Sequence, residues 1–503
     1  MSTFDDWLSW FVHVNDPSVL EMWKDQPTYI FVNLIVITMA SLSLMFALRH
    51  GLDSRYTYFW LATLLHGIVT ELVSYNLPDI NNFWHSQTFM MFAGRRFPLY
   101  IVLFYPATVT HAYIAASRLK LPWWAEPFAV GLFDVLIDFP YDIMGIKMVW
   151  WTWHDTDPNL FDRHYWVPWT SYFFHMSFHS SLVFLLHGTR YVITGNTSKD
   201  KSSGFFKEML CVIITSSFSM GFAIIFQLLP IYHGLKDGFG LHTENIMFVV
   251  FGLYFAIVWY ADRTPTNDAR AQNKISKTYW WNNETGIAIL LHYIFYIILV
   301  VIAKPQYVKS RGMHETLGPR SETMKMPVVS GAVYIKQRYF DPASYDEGYI
   351  DFHCLPEGAP NLTANPHDVG KSWYTVCGNK FENHVEYIVM IWSFCFLGIF
   401  AFYNALGRSA TQENVDEMIL KKKVPVMQKS QRNVDETILK KEEMQKGQRN
   451  VDEMILKKKV PVMQKSQRNV DETILKKEEM QKSQRNRRQD VRKKTGKNKK
   501  KSQ

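Results

Sequence analysis

The sequence predicts an all-α polytopic membrane protein, a bundle of about nine transmembrane helices with a disordered basic C-terminal tail. Three observations predict it: long apolar runs, an alternation of basic charge between them, and a sharp change of composition near residue 407. A helix needs about 20 apolar residues to cross the hydrocarbon core of a bilayer. Runs of that length lie at about 29–48, 57–77, 97–117, 125–147, 168–189, 207–229, 245–262, 286–303 and 386–406.

Basic residues concentrate in alternate connections between these runs, as the positive-inside rule requires. Those connections hold Arg49, Arg55, Arg118, Lys120, Arg190, Lys199, Lys201, Lys207, Arg263, Arg270, Lys274 and Lys277. With the C-terminus in the cytoplasm, nine spans place the N-terminus on the extracytoplasmic side. Arg95 and Arg96 are the exception, because this orientation puts them outside. We expect the protein in the plasma membrane or an endomembrane.

This topology divides the chain into five parts. They are an extracytoplasmic segment at 1–28, an eight-span membrane bundle at 29–303, an extracytoplasmic loop at 304–385, a ninth span at 386–406 and a cytoplasmic tail at 407–503. Each boundary follows from the end of an apolar run.

The extracytoplasmic loop contains two cysteines, Cys354 and Cys377, and a sequon that begins at Asn361. An oxidising compartment favours a disulfide and allows N-glycosylation. We therefore predict a disulfide between the two cysteines and a glycan on Asn361. The sequons at Asn196 and Asn283 fall on the cytoplasmic side, where we expect them to stay unmodified.

The C-terminal tail differs in composition from the rest of the chain. From residue 408 onward the chain holds 28 Lys and Arg against 14 Asp and Glu, whereas residues 1–407 hold 27 against 32. The basic balance therefore belongs to the tail, and no nucleic-acid partner is predicted. A 36-residue unit begins at Asn414 and again at Asn450, with too few apolar residues for a packed core. The basic end of the tail either contacts anionic lipid or stays solvated.

Several spans carry ionisable residues, which cost about 2.5 to 17 kcal/mol in a lipid environment. Such residues generally face the interior of a bundle and pair with one another. In the second to fifth spans they are His66, Glu71, His111, Asp134, Asp138, Asp142, His175, His179 and His187, and His292 lies alone in the eighth.

The stretch "LFDVLIDFPYDIMG" gives the fourth span a one-sided acidic stripe. Asp134, Asp138 and Asp142 recur every four residues, which keeps them on one helical face. Pro140 lies within the stripe and cannot donate to the carbonyl of Leu136, so we expect a kink that frees this oxygen for a cation or a water-filled pocket. Asp142 lies nearest the outer interface and is expected to face water.

The fifth span runs in the opposite direction and carries His175 and His179 on one face. At 1.5 Å per residue, these imidazoles, Asp134, Asp138 and Glu71 all fall in the outer half of the bilayer. The sequence therefore predicts one intramembrane polar site, shared by the second to fifth spans.

Three interpretations of this site stay open. In the first it is an enzyme site, in which Glu71, Asp134 or Asp138 acts as acid or base and His175 and His179 bind a divalent metal ion. In the second the same groups form the relay of a proton- or cation-coupled transporter. In the third they are a packing network without chemistry. The supporting polar residues are His66, His111, Asp142, Arg95 and Arg96.

The loop after the fourth span contains "WWTWHDTDP" and further tryptophans. Trp150, Trp151, Trp153, Trp166 and Trp169 fit an aromatic belt at the membrane interface, which is the structure that we expect for this loop. The alternative is a cap over the polar site.

The run from "FWHSQTFMMFAGRRFP" to the end of this loop resembles an uncharacterised family of multi-pass membrane proteins from invertebrate animals, defined as a domain of unknown function. The similarity covers about residues 25–405 and not the tail. It implies the membrane architecture and brings no activity.

The chain also resembles the carotenoid hydratase family of bacterial and archaeal membrane proteins, which pair a span-borne Glu with a later Asp-bearing span and a Trp-rich loop. The matching positions here are Glu71, Asp134, Asp138 and 150–153. This resemblance implies a lipid-like substrate. The histidines are not part of that family's pattern.

Overall fold

A computed structural model describes residues 4–15, 19–77, 80–154, 162–195, 202–262, 283–407 and 473–485, together with the single positions 447 and 454. The chain separates into two compact units, Met1–Glu413 and Asn414–Gln503. The predicted sites and spans all belong to the first unit, which is mostly helical.

A helix occupies each of the nine predicted apolar runs. Two short helices, α1 (Phe4–Phe11) and α2 (Val19–Asp25), precede them. The helices in the predicted runs are α3 (Pro27–Arg49), α4 (Arg55–Asn76), α5 (Leu99–Arg118), α6 (Glu126–Lys147), α7 (Trp169–Thr194), α8 (Phe205–Ala223), α10 (Thr243–Asp262), α11 (Glu284–Ile302) and α12 (His384–Gly407), and a π-helical segment (Ile224–His233) joins α8 to the short α9 (Gly234–Phe239).

Six helices in the described part of the chain are long and apolar enough to cross a membrane. They are α3, α5, the continuous helix Phe205–Phe239, α10, α11 and α12. The remaining three, α4, α6 and α7, are those with most of the intramembrane acids and histidines. Helix α6 is almost entirely buried, so that its carboxylates are shielded by neighbouring helices. The protein is therefore membrane-embedded, with α6 in the interior of the bundle.

Residues 304–383 do not form a simple loop, contrary to the expectation for 304–385. They fold into small antiparallel sheets in which β8 (Lys309–Met313) pairs with β12 (Trp373–Gly378), and β9 (Thr323–Pro327) with β10 (Val333–Gln337). A disulfide joins Cys354 and Cys377, as predicted. We call this folded region the capping layer, and the end of the bundle beneath it the capped end.

Side-chain hydrogen bonds fasten the capping layer to the interhelical loops. The hydroxyl of Tyr349 donates to the Trp153 carbonyl at 2.7 Å and accepts from the Trp153 amide at 2.9 Å. His154 contacts Glu347 across 3.2 Å, and both side chains are fully buried. The hydroxyls of Ser86 and Ser310 are also hydrogen-bonded. These polar contacts act together with buried apolar side chains of the layer, such as Leu317, Phe340 and Val376, which belong to the same hydrophobic core as the helices.

The interhelical loops at the capped end contain short strands. The strand β2 (Phe83–His85) pairs with β5 (Trp151–Trp153), which joins the loop after α4 to the loop after α6. The strand β1 (Val12–Val14) pairs with β3 (Met90–Phe92), and β3 pairs with β4 (Phe97–Pro98). The remaining strands are β6 (Arg163–His164), β7 (Val167–Pro168) and β11 (Ile350–Asp351). These pairings hold the loop residues that border the polar site.

In the second unit the structure describes an exposed helix over 473–485. The prediction of a disordered tail concerns mainly residues outside the described ranges, as do the basic cluster near the C-terminus and most of the 36-residue repeat.

Candidate functional site

Helices α6 and α7 approach each other closely because position 131 is a glycine. A Cβ atom at Gly131 would lie 2.8 Å from the carbonyl oxygen of Met176, a distance that real Cβ atoms do not show. This approach places the acidic stripe of α6 against the histidines of α7. The predicted meeting of the two stripes is therefore present.

Asp134 contacts both histidines of α7. Its Oδ2 accepts a hydrogen bond from Nδ1 of His179 at 2.5 Å and lies 3.3 Å from Nδ1 of His175. Asp134 and His179 are fully buried, whereas 18% of the His175 side chain is exposed. His175 is therefore the member of this group that can meet a ligand.

The other nitrogen of His175 faces the rest of the acidic stripe. Nε2 of His175 lies 3.3 Å from Oδ1 of Asp138. One potential ligand atom each from Asp138, Asp142 and His175 lie within 4.8 Å of one another, and the same is true of Asp134, His175 and His179. His175 therefore joins two overlapping groups, either of which has donors suited to a divalent metal ion.

Asp142 does not face water, contrary to the expectation from its depth. It is only 2% exposed, because the capping layer and the loops cover this end of the bundle. Its Oδ2 accepts a hydrogen bond from the hydroxyl of Ser171 at 2.8 Å. Asp142 thus belongs to the site, and the sequence-based expectation failed because it inferred exposure from depth in the bilayer alone.

Glu71 reaches the site from α4 and is held by two tyrosines. Its Oε1 accepts from the Tyr105 hydroxyl at 2.9 Å and its Oε2 from the Tyr75 hydroxyl at 2.8 Å. Gly67, one turn earlier, makes room for Tyr105, since a Cβ there would lie 2.3 Å from the tyrosine ring. His66 hydrogen-bonds Ser219 at 2.8 Å and packs edge-on against His179.

A cavity of about 140 Å³ lies between these residues and the loops of the capped end. Its polar lining includes Glu71, Asp142, His175 and His179, and its apolar lining is largely aromatic. His85 lines it from the loop after α4; burial, and secondarily the charge of Arg96, lower the pKa of this histidine to about 3, so that it is neutral. A cavity of about this size holds several waters or a small organic molecule.

The tryptophans of the loop after α6 are not an interfacial belt. Trp150, Trp151 and Trp153 are at most 8% exposed, and the last two line the cavity. Trp151 packs over α6 where Gly145 leaves room for its ring. The expectation of a belt was wrong because the capping layer covers this loop, so that these rings pack against protein.

Other predicted polar residues lie elsewhere. His111 bonds Thr285 and the Met39 carbonyl at 3.2 and 3.1 Å, which makes it a packing residue between helices. Arg95 lies over the ring of Trp373, away from the cavity lining. The carbonyl of Leu136, freed by Pro140, does not face the cavity but accepts from the hydroxyl of Tyr293 at 3.1 Å.

Arg96 lies beside the site without entering it. Its guanidinium stacks on Tyr75, 4.2 Å from the ring centre, and donates to Asn81 at 2.7 Å. Burial lowers the pKa of Arg96, whereas the nearby Tyr75, Glu315 and Glu71 act in the opposite direction. Its role here is to support the tyrosine that holds Glu71.

Several residues of the site escaped the sequence-based prediction. Tyr75, Tyr105 and Ser171 supply hydrogen bonds to its carboxylates. Tyr75 lies four residues after Glu71, a spacing that places both on one helical face and was a usable signal. Ser171 lies four residues before His175 on α7 and offered the same signal, whereas Tyr105 comes from another helix and no spacing relates it to Glu71.

A second buried ionic group lies at the other end of α7, which we call the opposite end. Nε of Arg190 donates to both oxygens of Glu208, at 3.2 and 3.0 Å, and both side chains are buried. His187 contacts Arg55 at 2.9 Å and Glu126 at 3.4 Å. Arg55 and Arg190, expected in loops, are buried at helix ends instead.

No curated protein and no solved structure matches this chain. A family model described as a domain of unknown function, DUF7802, matches residues 3–407. The match confirms the resemblance to an uncharacterised family and carries no activity, and the resemblance to carotenoid hydratases stays a prediction. Since the matched region is the whole membrane-embedded unit up to the end of α12, the chain belongs to this DUF7802 family of unknown function.

Proposed function

We propose that the chain is a nine-span membrane protein with an extracytoplasmic N-terminus and a cytoplasmic tail. A helix lies in every predicted run, and the three that are too polar to qualify by composition are α4, α6 and α7. Their charged groups face one another, which removes the usual objection to spans of this kind. The distribution of basic residues supports the same orientation.

This orientation places the capping layer outside the cytoplasm, where a disulfide and a glycan can form. Asn361 lies in an exposed turn of that layer. A glycosidase-sensitive mass shift that Asn361→Gln abolishes supports the proposed topology. An unmodified Asn361 in cells that glycosylate other surface proteins, with a glycan on Asn283 instead, would reverse it.

We propose that the capped end binds a divalent metal ion through His175, Asp138 and Asp142. The observation that carries this proposal is the state of Asp138. It is 1% exposed, its Oδ1 lies 3.3 Å from Nε2 of His175, and a ligand atom of a second buried carboxylate, Asp142, lies within 4.8 Å. Two buried carboxylates so close together need a proton or a cation between them.

Asp134 fits a supporting position better than a place in the coordination shell. It contacts Nδ1 of His175, which leaves Nε2 directed at Asp138. Carboxylates commonly orient metal-bound histidines in this way, through the ring nitrogen that does not bind the metal. The 2.5 Å contact with His179 is also shorter than the separation of about 3.3 Å expected between two ligands of one ion.

The proposed centre faces the cavity, and we propose that it acts on or binds a small or lipid-like molecule there. A bound divalent ion would act as a Lewis acid toward an oxygen of that molecule or toward water. Glu71, on another part of the lining, is placed to accept or hold a proton. The basic tail is proposed to contact anionic lipid.

Metal analysis of the purified full chain tests this proposal. We expect about one equivalent of divalent metal in the parent protein and none in Asp138→Asn. His179→Ala, which removes only a partner of the orienting carboxylate, should weaken binding by about 10- to 100-fold. The exposed His367→Ala is the matched control and should retain the metal fully. A parent protein without metal, or an Asp138→Asn variant that keeps it, contradicts the proposal.

The alternative function is a proton- or cation-coupled transporter, which one observation favours. Asp138, His175, Asp134, His179 and His66 form a line of neighbouring titratable side chains, in which His175 and His179 border the cavity. Between His179 and the ionic group at the opposite end, however, α7 presents buried apolar residues, Leu182, Val183 and Leu186.

A one-sided chain of this kind is better suited to a site than to a path across the membrane. Proton flux across liposomes that contain the protein separates the alternatives. Flux that His175→Gln abolishes supports the transporter. Absence of both flux and metal leaves the third interpretation, a packing network.

A further inference from the structure

The lining of the cavity combines aromatic rings with carboxylates. Eight aromatic side chains border it, and they are Phe83, Phe104, Tyr105, Tyr141, Trp151, Trp153, Phe174 and Phe178. Its acids are Glu71 and Asp142, and the described residues that line it include no lysine or arginine. The histidines of the lining are His85, His175 and His179, and because the proposed metal ion binds Asp142, Glu71 is the acid of this lining that remains for a ligand.

Hydrogen bonds fix the carboxylate of Glu71 on the lining of this cavity. The hydroxyls of Tyr75 and Tyr105 each donate to one of its oxygens, which fixes the carboxylate and leaves it without a cationic partner within ion-pair distance in the described structure. The cavity thus contains a carboxylate that is fixed in position next to aromatic faces.

The nearest arginine cannot neutralise Glu71 by moving into the cavity without losing its own contacts. Arg96 donates to Asn81 and to the Phe83 carbonyl at 2.7 and 3.2 Å, and it stacks between the rings of Tyr75 and Trp84. These bonds hold it behind the tyrosine and outside the lining. A cationic group that pairs with Glu71 inside the cavity would therefore belong to a ligand.

We infer that the cavity binds a small organic cation that carries a substituted ammonium group. Aromatic faces attract such cations through their quadrupole, and a carboxylate adds a direct charge interaction. The volume of about 140 Å³ suits a ligand of a few heavy atoms, since a cavity of about 150 Å³ accommodates benzene. The inference rests on the proposed function, because it names the class of molecule that would bind beside the metal centre. The residues that would bind this cation are Glu71 and the aromatic side chains of the lining, not the metal ligands.

Calorimetric titration of the full chain in nanodiscs made of phosphatidylglycerol tests this inference. The probes are choline, its uncharged isostere 3,3-dimethylbutan-1-ol, and a short-chain phosphocholine lipid. We expect choline or the lipid to bind about tenfold or more tightly than the uncharged isostere. The comparison of the two cationic probes shows whether the ammonium group comes from a free molecule or from a lipid headgroup.

Two glutamate variants make the test specific. Glu71→Gln should reduce binding of the cationic probe about tenfold or more and leave the isostere unaffected, whereas Glu244→Gln, the same change at an exposed position, should alter neither. If Glu71→Gln does not fold, Phe174→Leu removes one aromatic face at similar volume and should lower the preference for the cation about threefold.

Two results would overturn the inference: equal affinity for choline and its isostere, or unchanged cation binding in Glu71→Gln. Asp138→Asn separates it from the metal proposal, because Asp138 does not line the cavity. If this variant loses the metal and still binds choline, the result supports both the ammonium site and the metal centre. Selective choline binding by a parent protein that holds no metal supports the ammonium site and contradicts the metal centre.

Discussion

The two ends of helix α7 both bury charged groups, but the two groups differ in their balance of charge. At the opposite end, Glu208 faces Arg190 and Glu126 faces His187, which also contacts Arg55. At the capped end, three aspartates of α6 face imidazoles and hydroxyls, and no lysine or arginine of the described chain forms an ion pair with them. Only the capped end borders the cavity described here.

The difference shows how to read buried charge in this bundle. A carboxylate that already has a guanidinium partner is part of the packing, and its loss costs stability. Buried carboxylates without such partners are unfavourable unless a proton, a metal ion or a ligand completes them. The ion pairs at the opposite end therefore stabilise the bundle. At the capped end, the binding of a proton, a metal ion or a ligand changes the free energy of unfolding.

The largest effect is expected at the opposite end. Glu208→Ala removes the carboxylate that accepts three hydrogen bonds from the buried Arg190, which should destabilise the protein by about 3 to 5 kcal/mol. The change is measured by heating the protein in detergent and then quantifying the remaining folded protein by size-exclusion chromatography. Glu244→Ala is the control, because Glu244 is exposed and should behave as the parent. A Glu208→Ala protein as stable as the control would remove the structural role assigned to this ion pair.

The contrast between the two ends could be predicted only in part. The spacing of Asp134, Asp138, His175 and His179 was visible in the sequence, and helical periodicity placed them correctly on facing stripes. The pairing at the opposite end was not, because Arg190 and Glu208 lie on different helices and their burial depends on how α7 packs against α8.

The capping layer was the main omission of the sequence-based prediction. Its strands are short, and its attachment depends on single polar contacts such as Tyr349 with Trp153 and Ser86 with Ser310. No periodic pattern in the sequence predicts contacts of that kind. The errors about Asp142 and the tryptophans both follow from it, since depth in a bilayer says little about exposure when a folded layer covers the surface.

The second test of the comparison between the two ends of the bundle removes the disulfide of the capping layer. The disulfide closes a segment of 23 residues, so that Cys354→Ser with Cys377→Ser should cost about 3 kcal/mol of the layer's stability. We expect faster hydrogen exchange in residues 304–383 and in the capped end of α6, and unchanged exchange around Arg190. Equal acceleration at both ends would show that the layer is not a separate determinant of the capped end.

A smaller effect of opposite sign is expected for Asp138→Asn. In the presence of a chelator, this change removes one of two neighbouring buried carboxylates and should raise stability by about 1 kcal/mol, or about 2 °C in melting temperature. The same variant should lose any stabilisation by added divalent metal, which reaches about 2.7 kcal/mol at a hundredfold excess over the dissociation constant. A clear fall in melting temperature under chelation would mean that Asp138 belongs to a satisfied network like that of Glu208.

The last expected effect is a gradual pH dependence of the capping layer. His314 follows β8, lies 3.2 Å from the hydroxyl of Thr152, and is 1% exposed. Burial, with a smaller contribution from His154, lowers its pKa to about 3 from the ordinary value of 6.5. The unfolded chain therefore binds this proton at a pH at which the folded chain does not, and stability falls as pH decreases from 6.5 toward 3.

The slope from His314 is at most about 1.4 kcal/mol per pH unit and should vanish above pH 7. Unfolding of the capping layer, measured by hydrogen exchange between pH 7.5 and 5.5, should show this loss, and His314→Gln should flatten it because the amide keeps a hydrogen bond to Thr152 without titrating. Exchange around Glu208 serves as the internal reference, since an arginine partner does not titrate in this range. An equal slope at both ends, or one that His314→Gln leaves intact, would assign the pH response to other groups.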